Sequence, residues 1–331
     1  MSASVPAKRY RMLRRAVACL GLALLPLFAL LPHSLGWVRY GFVERTENYL
    51  YDLRLRATLP GRGEPGIVIV DIDEKSLAAE GHWPWPRDKL ANLVDLLFDH
   101  YEIRVLGFDV TWPEPEENSA ARLLTELAQQ PQWRQLAEGL QVRYQTDRRF
   151  AEALVARNVV MGFVFKSAVA PGQPPELGAL PAPLEVSGAV LDKVPWVEAR
   201  GFTGNLPLLQ QNALTGGFFD TPLVDEDGVI RRMPLLQRYR GRLYESLALA
   251  VARVARDGAP LQFAFRGDRA AAKRLDYAKL GDTVIPVDER AAFLLPFRGP
   301  VGSFAYIPAT DVLRQQAPAD MLRDAIVLLG S

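Results

Sequence analysis

Cysteine and histidine are nearly missing from this sequence. Cys19 is the one cysteine in 331 residues, so no intramolecular disulfide and no cysteine-based zinc site can be built. It opens an apolar run, where a lipoprotein signal would need it to close one. The histidines number three, His33, His82 and His100. His33 lies in that same run, which leaves little for histidine-dependent catalysis. An excess of charge of either sign is missing too: 39 Lys+Arg against 38 Asp+Glu give a net charge of +1. That balance gives no reason to expect nucleic acid or another polyanion as a partner. Internal repeats are absent. The lack of disulfides leaves export open, because larger extracellular domains fold without them.

What is present, first, is one long uncharged run. From Ala16 to Val38 no residue carries a formal charge when His33 is neutral, and roughly 20 apolar residues cross a bilayer as a helix. Lys8, Arg9, Arg11, Arg14 and Arg15 precede the run. Such a basic flank holds the N-terminus in the cytoplasm and sends the following chain outward. Pro26 and Pro32 are tolerated within a membrane span. A cleaved signal peptide is the competing reading, but no A-x-A site stands near the end of the run. The predicted organisation is a cytoplasmic N-terminus over residues 1–15 and a transmembrane helix over 16–38. An amphipathic juxtamembrane helix and loop occupy 39–60, and an extracytoplasmic domain occupies 61–331. In the juxtamembrane stretch Phe42, Thr46, Tyr49, Leu50, Leu53 and Ala57 recur at helical spacing. They form either a core-facing stripe or a stalk that pairs with a second copy, and LPGRGEPG (Leu59–Gly66) ends the helix.

Strands and helices then alternate. Ile67–Val70 closes on Asp71 and Asp73, a helix starts near Arg87, and Val105–Val110 is the next buried strand. Strand–helix–strand of this length favours a right-handed parallel crossover. Helices are predicted at Ser119–Gln130, Asp147–Arg157 and Tyr244–Arg256, and strands at Val159–Phe165, Val284–Val287, Phe293–Phe297 and Ile326–Leu329. Pro171–Pro183 reads as a long surface loop. GFFDTPLVDEDGVIRRMPLL reads as a hairpin turning at Asp227-Gly228. The class is α/β, with a mixed, largely parallel sheet and flanking helices, preceded by the transmembrane helix.

Several separate motifs fall in one order: IVIVDIDEKSLAAEGHWPWPRDKLANLVDLL, VLGFDVTWPEPEEN, DEDGVIRRMPL with ESLALAVA, LLPFRGP and AIVLLG. Together they resemble the CHASE sensor family of the second type, the extracellular input domain of bacterial adenylate cyclases, histidine kinases, serine/threonine kinases and diguanylate cyclases. The resemblance implies a sensory input domain at the bacterial cytoplasmic membrane, facing the periplasm and answering a small-molecule or protein stimulus. It implies an output module, a cyclase or kinase, that this chain does not carry, and no enzymatic activity or cofactor of the chain's own. It also implies a homodimer formed through the membrane-proximal helices. Ile326–Leu329 is apolar on both faces, so it needs neighbours and a covering helix. In the family more sensor follows this strand, and the expectation is that the domain is truncated at its C-terminal end.

Candidate site residues follow from the topology. If the strands ending at Asp71 and Asp109 are adjacent and parallel, Asp71, Asp73 and Asp109 meet at the edge where open α/β sheets bind ligands. Clustered carboxylates require a cation, an arginine or a shared proton, and Arg87, Arg231 and Arg232 are the available cations. The set forms either a ligand pocket or a structural Asp/Arg network. Trp83 and Trp85 in HWPWPR (His82–Arg87) form either an aromatic wall for a ligand or the cap of a core edge. Around Asp227, an EF-hand register with Gly228 at the sharp turn places Leu223 first and Pro234 last, where Asp and Glu belong. A metal is therefore not expected. Two readings of other classes compete. A passive membrane-anchored scaffold or co-receptor would use its domain for protein contacts alone. A haloacid-dehalogenase-like phosphatase would use Asp71 as nucleophile and Asp73 as acid/base. Against the phosphatase, Lys75 stands where Thr or Val is usual, and the acids of Gly281–Asp288 are spaced too far apart.

Overall fold

The computed structural model describes residues 30–32, 38, 40–116, 119–141, 145–186, 192, 194–266 and 274–330. The basic N-terminus and nearly all of the expected transmembrane segment lie outside the described residues. Among the described residues no helix is long and apolar enough to cross a membrane. The chain divides into two units, residues 1–59 and 60–331. In the first, helix α1 (Gly41–Thr58) has no buried residue and exposes Phe42, Tyr49, Leu50 and Leu53. Glu44 in its first turn and Arg56 in its last suit the helix dipole, and the helix stops before Pro60.

The second unit opens with β1 (Ile67–Asp71), α2 (Glu74–Glu80) and α3 (Arg87–Asp95), which runs on into a π-helical turn, Leu96–His100. Next come β2 (Val105–Phe108), α4 (Ser119–Ala128), α5 (Arg134–Gln141), α6 (Thr146–Leu154) and β3 (Val159–Lys166). A run of short elements follows: β4 (Glu176–Leu177), β5 (Val197–Glu198), β6 (Gly201–Thr203), α7 (Pro207–Asn212) and β7 (Thr215–Phe218). After these stand β8 (Arg232–Pro234), β9 (Leu236–Tyr239), β10 (Arg242–Glu245) and α8 (Leu247–Val254). The remaining elements are β11 (Leu261–Arg266), β12 (Arg274–Leu280), β13 (Thr283–Pro286) and β14 (Ala292–Leu294). The series runs on through β15 (Ala305–Pro308), α9 (Ala309–Leu313), α10 (Ala319–Leu322) and β16 (Ile326–Gly330).

The main sheet runs β15-β1-β16-β2-β3, with β7 parallel to β3 and β6 antiparallel to its end. This corrects one expectation. β1 and β2 are not adjacent, because β16 lies between them and pairs in parallel with both. The covering that β16 needs comes from elements earlier in the chain. Val327 and Leu329 join a core with Leu90, Leu93, Phe150, Leu154 and Val312, from α3, α6 and α9. Ile326 and Leu328 rest on the other face against Leu247, Ala250 and Val251 of α8. That close approach requires Gly107, where a β-carbon would stand 2.8 Å from Val251 Cγ2. Gly217 does the same for the start of α8, with Leu247 Cα 2.5 Å from the position of its missing β-carbon.

Smaller sheets complete the domain: β10-β9-β5, the antiparallel β11-β12-β13, and the pair β14-β8. Their core gathers Trp196, Leu235, Leu236, Leu249, Leu261 and Leu280. Three further boundaries differ from the sequence reading. The expected hairpin at Asp227-Gly228 does not form, since β7 pairs with β3 and β8 with β14. The helix expected from Tyr244 starts at Leu247, because Ser246 caps it by accepting from the Leu249 N–H at 3.3 Å. The loop at 171–183 contains β4, which pairs with β6.

Candidate functional site

The carboxyl ends of β1, β16 and β2 share one edge of the sheet. Asp71 is the last residue of β1, in register with Gly330 of β16. Asp109 follows β2 directly, and its N–H donates to Leu329 O at 2.8 Å. One strand separates the two acids, so their backbones stand about 10 Å apart. Gly330 leaves the ground between them open: a β-carbon there would come 3.4 Å from Asp109 Cβ and 3.8 Å from its Oδ2. Burial raises the Asp71 pKa, and the neighbouring Asp73 carboxylate adds to the rise. Asp109 keeps much of its surface in water, yet the protein around the rest of it raises its pKa as well. Among the described residues no lysine or arginine offsets either rise.

Asp73 is engaged differently. Its Oδ1 accepts from the Ser76 N–H at 2.8 Å, which caps α2. Ser76 is fully buried, and its Oγ accepts from the Thr310 N–H at 3.1 Å, tying α2 to α9. Lys75, next to this cap, pairs with Asp311 at 2.6 Å.

The three arginines do not reach that edge. Arg87 is buried, and its Nε donates to Asp147 Oδ1 at 3.2 Å while its backbone N–H donates to Glu116 Oε2. The Glu116 N–H closes the ring on Asp147 Oδ2 at 3.0 Å, and the guanidinium lies over Trp112 at 5.5 Å. Burial pulls the Arg87 pKa down, and Asp147 and Glu116 work against it. Trp85 is buried, with its indole N–H donating to Gly81 O at 2.8 Å. Trp83 meets it edge-on at 5.9 Å and packs on the main core. The peptide between Trp83 and Pro84 is cis. In this arrangement the tryptophans line a core edge.

Arg231 is 3% exposed and clasps its own loop. Its guanidinium donates to Asp225 Oδ2 at 2.8 Å and to both oxygens of Asp227 at 2.9 and 2.7 Å. Those bonds pull the Asp227 pKa down to about 2. Arg232 stands 3.5 Å from Asp225 Oδ1. The turn is completed by Gly228 N–H donating to Asp225 O at 2.9 Å. Of the nine candidates, then, only Asp71, Asp73 and Asp109 share one edge, and among the described residues no cation offsets the charge of Asp71 or Asp109.

Two buried polar groups lie outside the expectations from sequence. Asn205, fully buried, accepts from Trp112 N–H at 2.9 Å and donates to Gly162 O at 2.9 Å. It pins the loop after β2 to β3, and no local signal marks it. Glu245 is 6% exposed, with Arg253 Nε 2.6 Å from its Oε1. A charged residue at the end of a buried strand was the available signal there. Among the described residues no group of three or more His, Cys, Asp or Glu is placed to hold a metal ion.

The family model described as the CHASE2 domain matches residues 22–331. No curated protein and no solved structure matches the chain.

Proposed function

The chain belongs to the CHASE2 domain family, sensory domains of signalling receptors, and from that premise we propose that it is the extracytoplasmic input of a membrane-bound receptor with a cyclase or histidine kinase output. The family match over nearly the whole chain carries this reading. The uncharged run Ala16–Val38 behind a basic flank supports the topology, with the N-terminus in the cytoplasm and the domain in the periplasm. The carboxyl edge bearing Asp71 and Asp109 is the surface offered to the stimulus. Two carboxylates that no cation among the described residues offsets favour a ligand that carries positive charge or hydrogen-bond donors.

Homodimerisation through α1 belongs to the same reading. Phe42, Thr46, Tyr49 and Leu53 follow one another at spacings of four, three and four, the heptad pattern of a two-stranded seam. The apolar members of that stripe are exposed. A passive scaffold would share the anchor and the helix but would not need the paired carboxylates.

Reporter fusions test the topology. A phosphatase that requires export should be active when fused after residue 60. A reporter that works only in the cytoplasm, if active at the same point, overturns the orientation and with it the sensory reading.

A further inference from the structure

Glu245 ends β10 and immediately precedes Ser246, the cap of α8. A strand end feeding straight into a buried helix has no water-facing side for a carboxylate, and Glu245 is accordingly 6% exposed. A compensating charge comes from two helical turns further along. Arg253 places Nε 2.6 Å from Glu245 Oε1. Both atoms are buried, and neither has a hydrogen-bond partner outside the pair. Arg253 NH1 donates instead to Ala259 O at 3.1 Å, and Gly258 N–H donates back to Arg253 O at 2.9 Å. Asp257 and Gly258 take the left-handed conformation in this turn, with φ of 53° and 76°. Arg253 thus links Glu245 at the start of α8 to the turn that leads from α8 into β11.

Among the described residues no other charged group stabilises the carboxylate. Arg242 and Tyr244 stand on its own strand, Arg238 and Tyr239 on β9, Asp220 beyond β7, Glu185 in the segment bonded to Leu243, and Arg256 past α8. Of the charged groups on these elements only Arg253 acts on Glu245. Burial outweighs that attraction and lifts Glu245 to about 7.

We infer that the buried Glu245–Arg253 pair is a proton-operated switch. With Glu245 ionised, both charges stay inside and Arg253 holds the turn at Ala255–Ala259. When Glu245 takes a proton from solvent, the neutral acid remains buried and Arg253 loses its counter-charge. Its side chain, already 22% exposed, then turns to water and releases Ala259 O. α8 is the element to which this matters, since Leu249 belongs to the core of the smaller sheets and Leu247, Ala250 and Val251 to the face of the main sheet. The site would sense protons themselves. Its use as a stimulus rests on the sensory reading above, whereas the transition does not.

The test uses the full chain in lipid nanodiscs. The infrared band of a protonated carboxyl should titrate with a midpoint near 7 and vanish in Glu245→Gln. Hydrogen exchange, corrected for intrinsic rates, should show Gly258 and Ala259 losing protection below that midpoint. Glu245→Gln should hold the unprotected state at every pH. Arg253→Ala, which removes the attraction that keeps the acid ionised, should move the infrared midpoint to higher pH. It also serves if the glutamine variant fails to fold. An exchange transition that survives in Glu245→Gln, a carboxyl band that titrates with no change in exchange, or a midpoint unmoved by Arg253→Ala would each overturn the switch. A receptor that does not signal in response to pH while these transitions occur would count against the sensory use alone.

Discussion

Removing Arg231 should lower stability far more than its place in a surface loop suggests. Its guanidinium is 3% exposed and joins Asp225 to Asp227, so Arg231→Ala strips the turn of the group that holds its two acids together. Breaking a buried ion pair costs about 3–5 kcal/mol. Here the orphaned carboxylates can hydrate, because the Asp227 side chain is 47% exposed and that of Asp225 20% exposed. The cost therefore falls below that range, to about 2 kcal/mol, the scale of a lost hydrogen bond to a charged group. For a domain of this size that is a fall in melting temperature of about 4–8 °C. Arg231→Lys keeps the charge but loses the forked geometry and should fall between wild type and the alanine variant. Asp227 is depressed to about 2, chiefly by its hydrogen bonds with Arg231. A depressed carboxylate contributes stability above its unfolded value that is lost only as pH drops through the folded one. The gap between wild type and Arg231→Ala should therefore stay level from pH 5 to 8 and close towards pH 2. Melting of the full chain in detergent, followed by circular dichroism, reads all of this. An alanine variant that melts with wild type, or a gap that changes within the neutral range, refutes the clasp.

Asp71→Asn and Asp109→Asn should melt at or above wild type near neutral pH, because both acids have raised pKa values and no cation among the described residues offsets the rise. For each, the ionised form weakens the folded state as pH rises, and a clear loss of melting temperature in both variants would restore the structural-network reading. Glu245→Gln should gain on wild type as pH rises from about 4.5 to about 7, by up to about 3 kcal/mol, and level off above that. In that case stability present below the unfolded value is lost as pH climbs through the folded one, and equal pH dependence in the two melts would contradict it. Leu53→Glu on the exposed stripe of α1 should convert a dimer to a monomer in light scattering of the detergent-solubilised chain, and an unchanged mass would remove α1 from the interface.

Most elements could be read because their signals are local. Ile67–Val70 and Val105–Phe108 are uninterrupted apolar runs, and α3 shows its buried face at Leu90, Leu93 and Val94. Two misses also had local signals. Leu261, Phe263 and Phe265 alternate as a strand should, and Ser246 before an apolar run marks a helix start. The position of β16 between β1 and β2 had none. That pairing joins residues more than 200 positions apart, and nothing in either strand specifies its neighbour. The turn at Asp227-Gly228 was legible, but the hairpin was not implied by it. Side chains from Arg231 hold the turn, so its flanking strands are free to pair elsewhere.

The same distinction explains the charges. Sequence reasoning matched three acids at one sheet edge with three distant arginines, as though cations were assigned by need. In the fold each arginine is taken by acids that its own elements bring close: Asp225 and Asp227 lie within seven residues of Arg231 and Arg232, and α6 delivers Asp147 to Arg87 where it packs on α3. Asp73 is satisfied by the backbone three residues on. Asp71 and Asp109 are left because β-sheet pairing placed a glycine, not a cation, between them. Neutralising either acid should therefore leave the fold as stable or firmer, and that is what the melts of the two Asn variants read.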